Sequence, residues 1–305
     1  MSENLISCTY CNLKTLKFWF NHTSVNSSNK IFPIFKCSSC KGAIVNPTPS
    51  NDFLEKFYKS DQNSMEQNIT NQTDEDTLQF ILNQEKEFPN STLDAKKIIN
   101  NITNITNKKI FLDVGAGYGF FSKEAKKANF DVTALELNDN VRKIFKLLNG
   151  FEALNKNFNE EFVEENKEKF DIVLLSQVLE HIPIEFNPIK NIYNLLKTGG
   201  ICVIAVPHFG STFSMLQGKK DMFITPPEHL NFFSKKALTL IFKKFGFKLL
   251  KIETVSRINK NKIKSKFKIF SLIINFILNL FIKFSDRINK GMYIQAYFQK
   301  YKNDE

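Results

Sequence analysis

The chain has 305 residues, 42% hydrophobic, 24% charged and 13% aromatic with 32 Phe, which excludes a disordered protein and allows one large core plus a small appendage. Its net charge of +11 suits an anionic partner, whether nucleic acid, membrane surface or phosphorylated small molecule, without choosing among them. Met1 to Ser7 has neither a basic start nor an apolar stretch. A cytoplasmic address is therefore expected, where paired cysteines point to metal and not to disulfides.

Residues 1 to 50 carry Cys8-x-x-Cys11 and Cys37-x-x-Cys40, two knuckles whose spacing suits tetrahedral Zn²⁺. The aromatic residues between them, Phe18, Trp19, Phe20, Phe32 and Phe35, are not interleaved densely with Lys or Arg, so a small core or docking surface is expected over a base-stacking platform. The fifth cysteine, Cys202, lies in an apolar run and reads as a core residue. Residues 51 to 107 are polar and helix-leaning, a helical linker or lid, with apolar positions at Phe53, Leu54 and Phe57 and again at Leu78, Ile81 and Leu82.

From residue 108 to the end, short β-branched runs alternate with amphipathic segments, the pattern of βαβ units. Strands are expected at Ile110 to Val114, Asp131 to Leu137, Phe151 to Leu154, Asp171 to Ser176 and Gly200 to Val206, with a helix after each of the first four. A loop follows over 207–233, on the side where a substrate would enter. Then come a helix from Ser234 to Phe245, a strand from Phe247 to Val255 and a last strand from Met292 to Gln299. The expected fold is α/β: a Rossmann-like, seven-stranded, mostly parallel sheet with helices on both faces.

The first of these strands runs into a glycine-rich turn, Asp113-Val114-Gly115-Ala116-Gly117-Tyr118-Gly119, that opens a helix. Such a turn lets a ligand approach the backbone and sets helix amides against it. A lone glycine turn is shared by dinucleotide enzymes. Here the third glycine comes one position early and Asp113 stands two before the first, where an acid can take an ammonium group. Glu136, about 20 residues on, is at the offset where a carboxylate receives ribose hydroxyls. This arrangement resembles motif I of class I S-adenosylmethionine-dependent methyltransferases. Phe170 to Pro183 and Leu195 to Gly200 are similar to that family's fourth strand and the turn into its fifth. The resemblance implies S-adenosyl-L-methionine as cofactor, held by Asp113, Gly115, Ala116, Gly117, Gly119, Glu136, Leu137, Asn157, Phe158, Ser176 and Gln177.

Methyl transfer to a hydroxyl needs alignment and a base of near-neutral pKa. The chain has four histidines, and His181, His208 and His229 fall at or after the carboxyl ends of the fourth and fifth strands. Pro226-Pro227-Glu228-His229-Leu230-Asn231-Phe232-Phe233-Ser234 resembles the Glu-His-Leu-x-Phe/Tyr-Phe-Ser segment of sugar methyltransferases of the type 23 kind. The resemblance implies His229 as base, Glu228 as its assistant and His181 as a secondary catalytic candidate. Those enzymes often carry Tyr two residues before the Glu to serve C-methylation; Pro226 stands there, which points to a hydroxyl acceptor. The knuckle text from Phe35 to Pro47 resembles zinc ribbons fused to methyltransferases of surface-polysaccharide genes. A sugar or nucleotide-sugar substrate is implied. C- or N-methylation, a phosphorus-linked acceptor and a non-catalytic recruitment module remain open. Nucleic-acid methylation is disfavoured, because Ser176-Gln177-Val178-Leu179 replaces the Asn/Asp-Pro-Pro-Tyr/Phe tetrad that grips a flipped base.

A basic and apolar insertion spans 259–290. Its lysines at 260, 262, 264, 266 and 268 precede an apolar stretch from Phe267 to Phe284 interrupted by Ser271, Asn275 and Asn279. A membrane-crossing helix needs roughly 20 apolar residues. An amphipathic helix is expected instead, packed on the catalytic domain or resting on an anionic membrane.

Overall fold

β-branched and aromatic residues at alternating positions build the central sheet, because a strand exposes successive side chains on opposite faces. The computed structural model describes residues 6–24, 29–59, 73–257 and 268–301. Its main sheet contains β5 (Ile110–Val114), β6 (Asp131–Leu135), β7 (Phe170–Ser176), β8 (Leu196–Pro207), β10 (Phe247–Val255) and β11 (Tyr293–Lys300), in the order β10-β11-β8-β7-β5-β6. β6, β5, β7 and β8 run parallel, while β11 is antiparallel to both β8 and β10. Both faces are buried. Leu112, Val114, Val173, Leu175, Cys202 and Ile204 point to one, and Phe111, Ile172, Leu174, Ile201 and Val203 to the other.

Helices cover each face with stripes at i, i+3 and i+4 spacing. α7 (Pro188–Leu195) and α9 (Lys235–Lys244) bring Ile189, Ile192, Leu238, Ile241 and Phe242 to the first face. α3 (Asn90–Ile105) and α4 (Phe120–Lys127) bring Ile98, Ile99, Ile102 and Ala125 to the second. α3 falls in the stretch expected as linker. Its four buried residues, Ala95, Ile98, Ile99 and Ile102, make it a structural layer of the sheet. α5 (Asp139–Asn149) follows β6, capped by the Asn138 side chain, and α6 (Glu160–Glu165) follows the next segment. Ahead of them stand α1 (Asn51–Lys59) and α2 (Asp74–Glu87).

The expected third strand, Phe151 to Leu154, is reduced to a single parallel bridge between Leu135 and Leu154, so among the described residues six strands form the sheet where seven were expected. Ala153 is buried but Leu154 is 45% exposed, so only one side of this edge segment has a core to pack on.

A second, antiparallel sheet joins β1 (Ile6–Ser7), β2 (Lys14–Ser24), β3 (Lys30–Cys37), β4 (Ala43–Val45) and β9 (Asn231–Phe232). Its fifth strand comes from the substrate-side loop: Ala43 pairs with Phe232 and Ile44 with Asn231. The remaining elements are α8 (Thr212–Gln217) and α10 (Lys268–Arg287). The lysines at 260, 262, 264 and 266 lie outside the described residues, and Lys268 is described in its backbone alone. Among the described residues, no helix is long and apolar enough to cross a membrane.

Candidate active site and metal centre

The glycine turn closes β5, and each of its glycines meets a different demand. Gly115, Gly117 and Gly119 have φ of 65°, 54° and 86°, the left-handed region where a Cβ is costly. A Cβ on Gly115 would stand 2.6 Å from Val178, and one on Gly119 would collide with Asn149 and Phe145. At Gly117 nothing lies within 4 Å, so here the turn faces open space. Ala116 is buried and anchors the turn by donating to the Leu135 carbonyl at 2.8 Å.

Glu136, just past β6, reaches over this turn. Its carboxylate accepts from the Gly117 amide and the Asn138 amide, each at 2.9 Å. Leu137 beside it is exposed, and so is Asn157, whereas Phe158 tucks against the main core. Ser176 ends β7, and Gln177, at φ 56°, donates from its backbone and side-chain amides to the Ala205 carbonyl at 2.8 and 3.1 Å. Glu136, Leu137, Ser176 and Gln177 stand at the carboxyl ends of β6 and β7, on the same edge of the sheet as the glycine turn. Asp113 lies beneath it. Its carboxylate, 1% exposed, accepts from the Ser122 hydroxyl at 2.7 Å, and burial pushes its pKa up to about 6.

Val178, which fills the space beside Gly115, starts the turn that carries Glu180 and His181. The rings of His181 and His229 stand 4.9 Å apart at 64°. His181 Nδ1 bonds the Glu228 carbonyl at 2.7 Å and His229 Nδ1 the Phe223 carbonyl at 2.8 Å. A carbonyl only accepts, so each Nδ1 carries the hydrogen and each Nε2 keeps its lone pair. Burial lowers both pKa values, His181 to about 4, which favours the neutral rings. Glu228 is half-buried and sits next to this pair through its own backbone. His208 stands apart: it is buried and bonds the Gly291 carbonyl at 2.9 Å, a tie between β8 and the last strand.

Two residues escaped the sequence reading. Glu180 is buried with its pKa pushed up to about 8 by burial. Its backbone carbonyl accepts from the Leu230 and Asn231 amides. Asn231 donates to the Ile182 carbonyl at 2.7 Å and accepts from the Tyr10 hydroxyl at 3.3 Å. Both belong to segments already singled out, Leu179-Glu180-His181 and His229-Leu230-Asn231, so their sequence signal was proximity to a histidine.

The four N-terminal cysteines converge. Cys8 Sγ and Cys40 Sγ are 3.7 Å apart, as are Cys11 Sγ and Cys37 Sγ, and all four sulfurs lie within 4.8 Å of one another. Tetrahedral zinc with Zn–S of about 2.3 Å requires about 3.8 Å between sulfurs, so the donor set fits Zn²⁺. The Cys40 thiol, donating to Cys8, pulls the Cys8 pKa down to about 5, the thiolate character a metal ligand needs. Cys202 is buried within β8 and takes no part.

A mostly parallel sheet whose first strand ends in a glycine turn defines the class I S-adenosylmethionine-dependent methyltransferases, and the open space at Gly117 together with Glu136 fits that cofactor. The family model described as Methyltransferase domain matches residues 90–252, more than half of the chain, and the chain belongs to this family. Ubiquinone biosynthesis O-methyltransferases are similar over a shorter stretch. That of Aliivibrio fischeri (strain MJ11) is 29% identical over 108 residues, 34% of this chain and 45% of its own length. That of Hydrogenovibrio crunogenus is 32% identical over 108 residues, 34% and 44%. The chain thus spans under half the length of these relatives. A SAM-dependent methyltransferase from Archaeoglobus fulgidus has the same fold, with a TM-score of 0.52 and 21% identity over 72% of this chain and 99% of that one.

Proposed function

We propose that the protein O-methylates a sugar or sugar-linked group in surface-polysaccharide assembly. The observation that carries the O-methyl reading is the His181–His229 pair, which keeps two imidazole lone pairs on a turn that starts at Val178, the neighbour of Gly115. S-adenosylmethionine, when bound, supplies the methyl group as a sulfonium electrophile. Asp113, the backbone of 115–119, Glu136, Leu137, Asn157, Phe158, Ser176 and Gln177 would hold it, with Asp113 toward its ammonium group, Glu136 on its ribose hydroxyls and Asn157 and Phe158 at its adenine. His229 takes the proton of the acceptor hydroxyl through Nε2, and the Phe223 carbonyl holds the ring in that tautomer. Glu228 orients His229, and His181 packs against it.

The four-cysteine module, residues 1–50, holds zinc and shapes the substrate side of the site, with 51–107 and 108–305 as the remaining divisions of the chain. A second acceptor class, a ring hydroxyl on a lipid-soluble molecule, is favoured by two observations: the similarity to ubiquinone biosynthesis O-methyltransferases and the exposed apolar face of α10.

The test incubates the full chain with S-adenosylmethionine and a panel of nucleotide sugars, glycolipid sugars and lipid-soluble phenols, read by mass gain of one CH₂. Methylation of a sugar hydroxyl supports the first reading, and methylation confined to phenols replaces it with the second. His229→Ala is expected to lower turnover about 10²- to 10⁴-fold with S-adenosylhomocysteine binding unchanged in calorimetry. Near-wild-type turnover would remove His229 from the role of base.

A further inference from the structure

The proposed base does not account for Glu180. This side chain is 1% exposed, and neither carboxylate oxygen has a hydrogen-bond partner. A carboxylate buried without a donor is costly, and buried charges are commonly paired or coordinate metals. Beside it are two imidazoles whose Nδ1 atoms are tied to backbone carbonyls, the outer-shell arrangement that fixes a metal-ligating histidine with Nε2 presented inward. One ligand atom each from Glu180, His181 and His229 lies within 4.8 Å of the other two. A tetrahedral site with metal–nitrogen and metal–oxygen distances of about 2.0–2.2 Å needs about 3.4 Å between ligands, a closure that side-chain rotation supplies.

The charges acting on this group favour a cation. Glu228 acts on both Glu180 and His229, and Asp221 acts on His229. We propose that Glu180, His181 and His229 form a second metal site, distinct from the four cysteines, that takes a divalent transition-metal cation. Two imidazoles and one carboxylate select such a cation over Mg²⁺ or Ca²⁺, which prefer all-oxygen sets. Three protein ligands leave a position open, as catalytic sites do and closed structural sites do not. With the acceptor placed beside the histidine pair, its hydroxyl would fill that position and become more acidic there. This use of the site rests on the reading of the pocket as the acceptor pocket; the binding of the cation does not. An occupied site engages the His229 lone pair, so His229 acts as base only when the cation is absent.

Manganese tests this, because thiolates take it poorly and the zinc-holding cysteines stay out of the measurement. The full-length, zinc-loaded protein is titrated with Mn²⁺, and loss of the free-ion EPR signal counts bound metal. One Mn²⁺ per chain is expected, with hyperfine coupling to two imidazole nitrogens in pulsed EPR, a readout that needs no variant. Glu180→Gln and His229→Gln are each expected to weaken binding at least about tenfold while zinc content and S-adenosylhomocysteine affinity stay unchanged. No saturable Mn²⁺ binding, or bound Mn²⁺ without nitrogen coupling, overturns the site. If Mn²⁺ binds as described but no panel hydroxyl is methylated, the metal site stands and the acceptor assignment fails. If hydroxyls are methylated and Mn²⁺ does not bind, the reverse holds.

Discussion

Asp113 shows how one buried carboxyl ties stability to cofactor binding. It accepts from the Ser122 hydroxyl in the first turn of α4, so it ties the end of β5 to the helix that the glycine turn opens. Burial raises its pKa, Ser122 opposes the rise, and Glu136 adds to it, leaving it at about 6 against about 3.9 in an unfolded chain. The folded protein therefore holds the proton more tightly. Stability is greatest below about pH 4 for this group, declines as pH rises to about 6 and stays at the lower level above. The two-unit shift corresponds to about 3 kcal/mol. Asp113→Asn removes the charge and keeps an oxygen for Ser122. In urea unfolding of the cofactor-free protein, the variant is expected to be about 1–3 kcal/mol more stable than wild type at pH 8, with the gap closing at pH 4.5. The same variant is expected to bind S-adenosylhomocysteine at least about tenfold more weakly, because a charge-assisted contact contributes about 1.5–3 kcal/mol. A pH-independent gap would show that the buried charge is not the destabilising group. Asp113 and the three glycines were legible in sequence because their demands are local: a strand end, positive φ and a helix start within seven residues. The burial of Glu180 was not. It depends on the 228–231 segment folding over it, which hydropathy around residue 180 does not encode.

At the scale of elements, β9 is where the four-cysteine module joins the segment that carries Glu228 and His229. Residues 231–232 extend the N-terminal sheet through β4, the Val45 amide donates to the Leu230 carbonyl, and the Ser234 hydroxyl donates to the Cys40 carbonyl at 2.5 Å. Asn231 completes the link, bridging Tyr10 to the turn after Glu180. The four-cysteine cluster is thus one hydrogen-bonded step from the loop that bears His229. Sequence could show the cysteine knuckles and the Glu228-His229 segment separately. It could not show their junction, since two strands of three and two residues carry no periodicity and pair across most of the chain. Stripping zinc with a chelator is expected to raise hydrogen exchange at the amides of Val45, Leu230 and Asn231 by about tenfold or more, with β5 and β7 unchanged. S-adenosylhomocysteine affinity is expected to persist, because the glycine turn shares no strand with β9. Unaltered exchange at these three amides after metal loss would mean that the module sits beside the pocket without holding it.

For the whole molecule, the decisive feature is an apolar surface that the fold leaves open. α10 is anchored by few contacts: the Phe281 ring packs on Phe213 at 5.1 Å, Ser285 is buried against Thr212, and Asp286 accepts from Ser256. Among its described side chains, Ile273, Phe276, Ile277, Leu280 and Phe284 face outward, with Phe276 64%, Ile277 59% and Phe284 58% exposed. α8, held to α10 through Thr212 and Phe213, adds exposed Met215 and Leu216. The hydropathy of this stretch foretold an amphipathic helix; which way its broad face turns is set by tertiary contacts. Exposed Lys219, Lys220, Lys283 and Arg287 belong to or follow these two helices, within a chain of net charge +11. An apolar face bordered by cations matches an anionic lipid surface, which gains from apolar burial and about 1 kcal/mol per basic residue near the headgroups. The full-length protein is expected to co-sediment with vesicles containing phosphatidylglycerol, weakly with neutral vesicles, and less as salt rises. The double variant Phe276→Glu/Ile277→Glu removes two large side chains worth about 1.5–3 kcal/mol each on burial, and is expected to cut pelleting more than about tenfold while leaving S-adenosylhomocysteine binding intact. Equal pelleting of variant and wild type would discard the lipid contact. Conversion of a wild-type dimer to a monomer by the same two changes, without vesicle binding, would assign the face to a second copy of the chain.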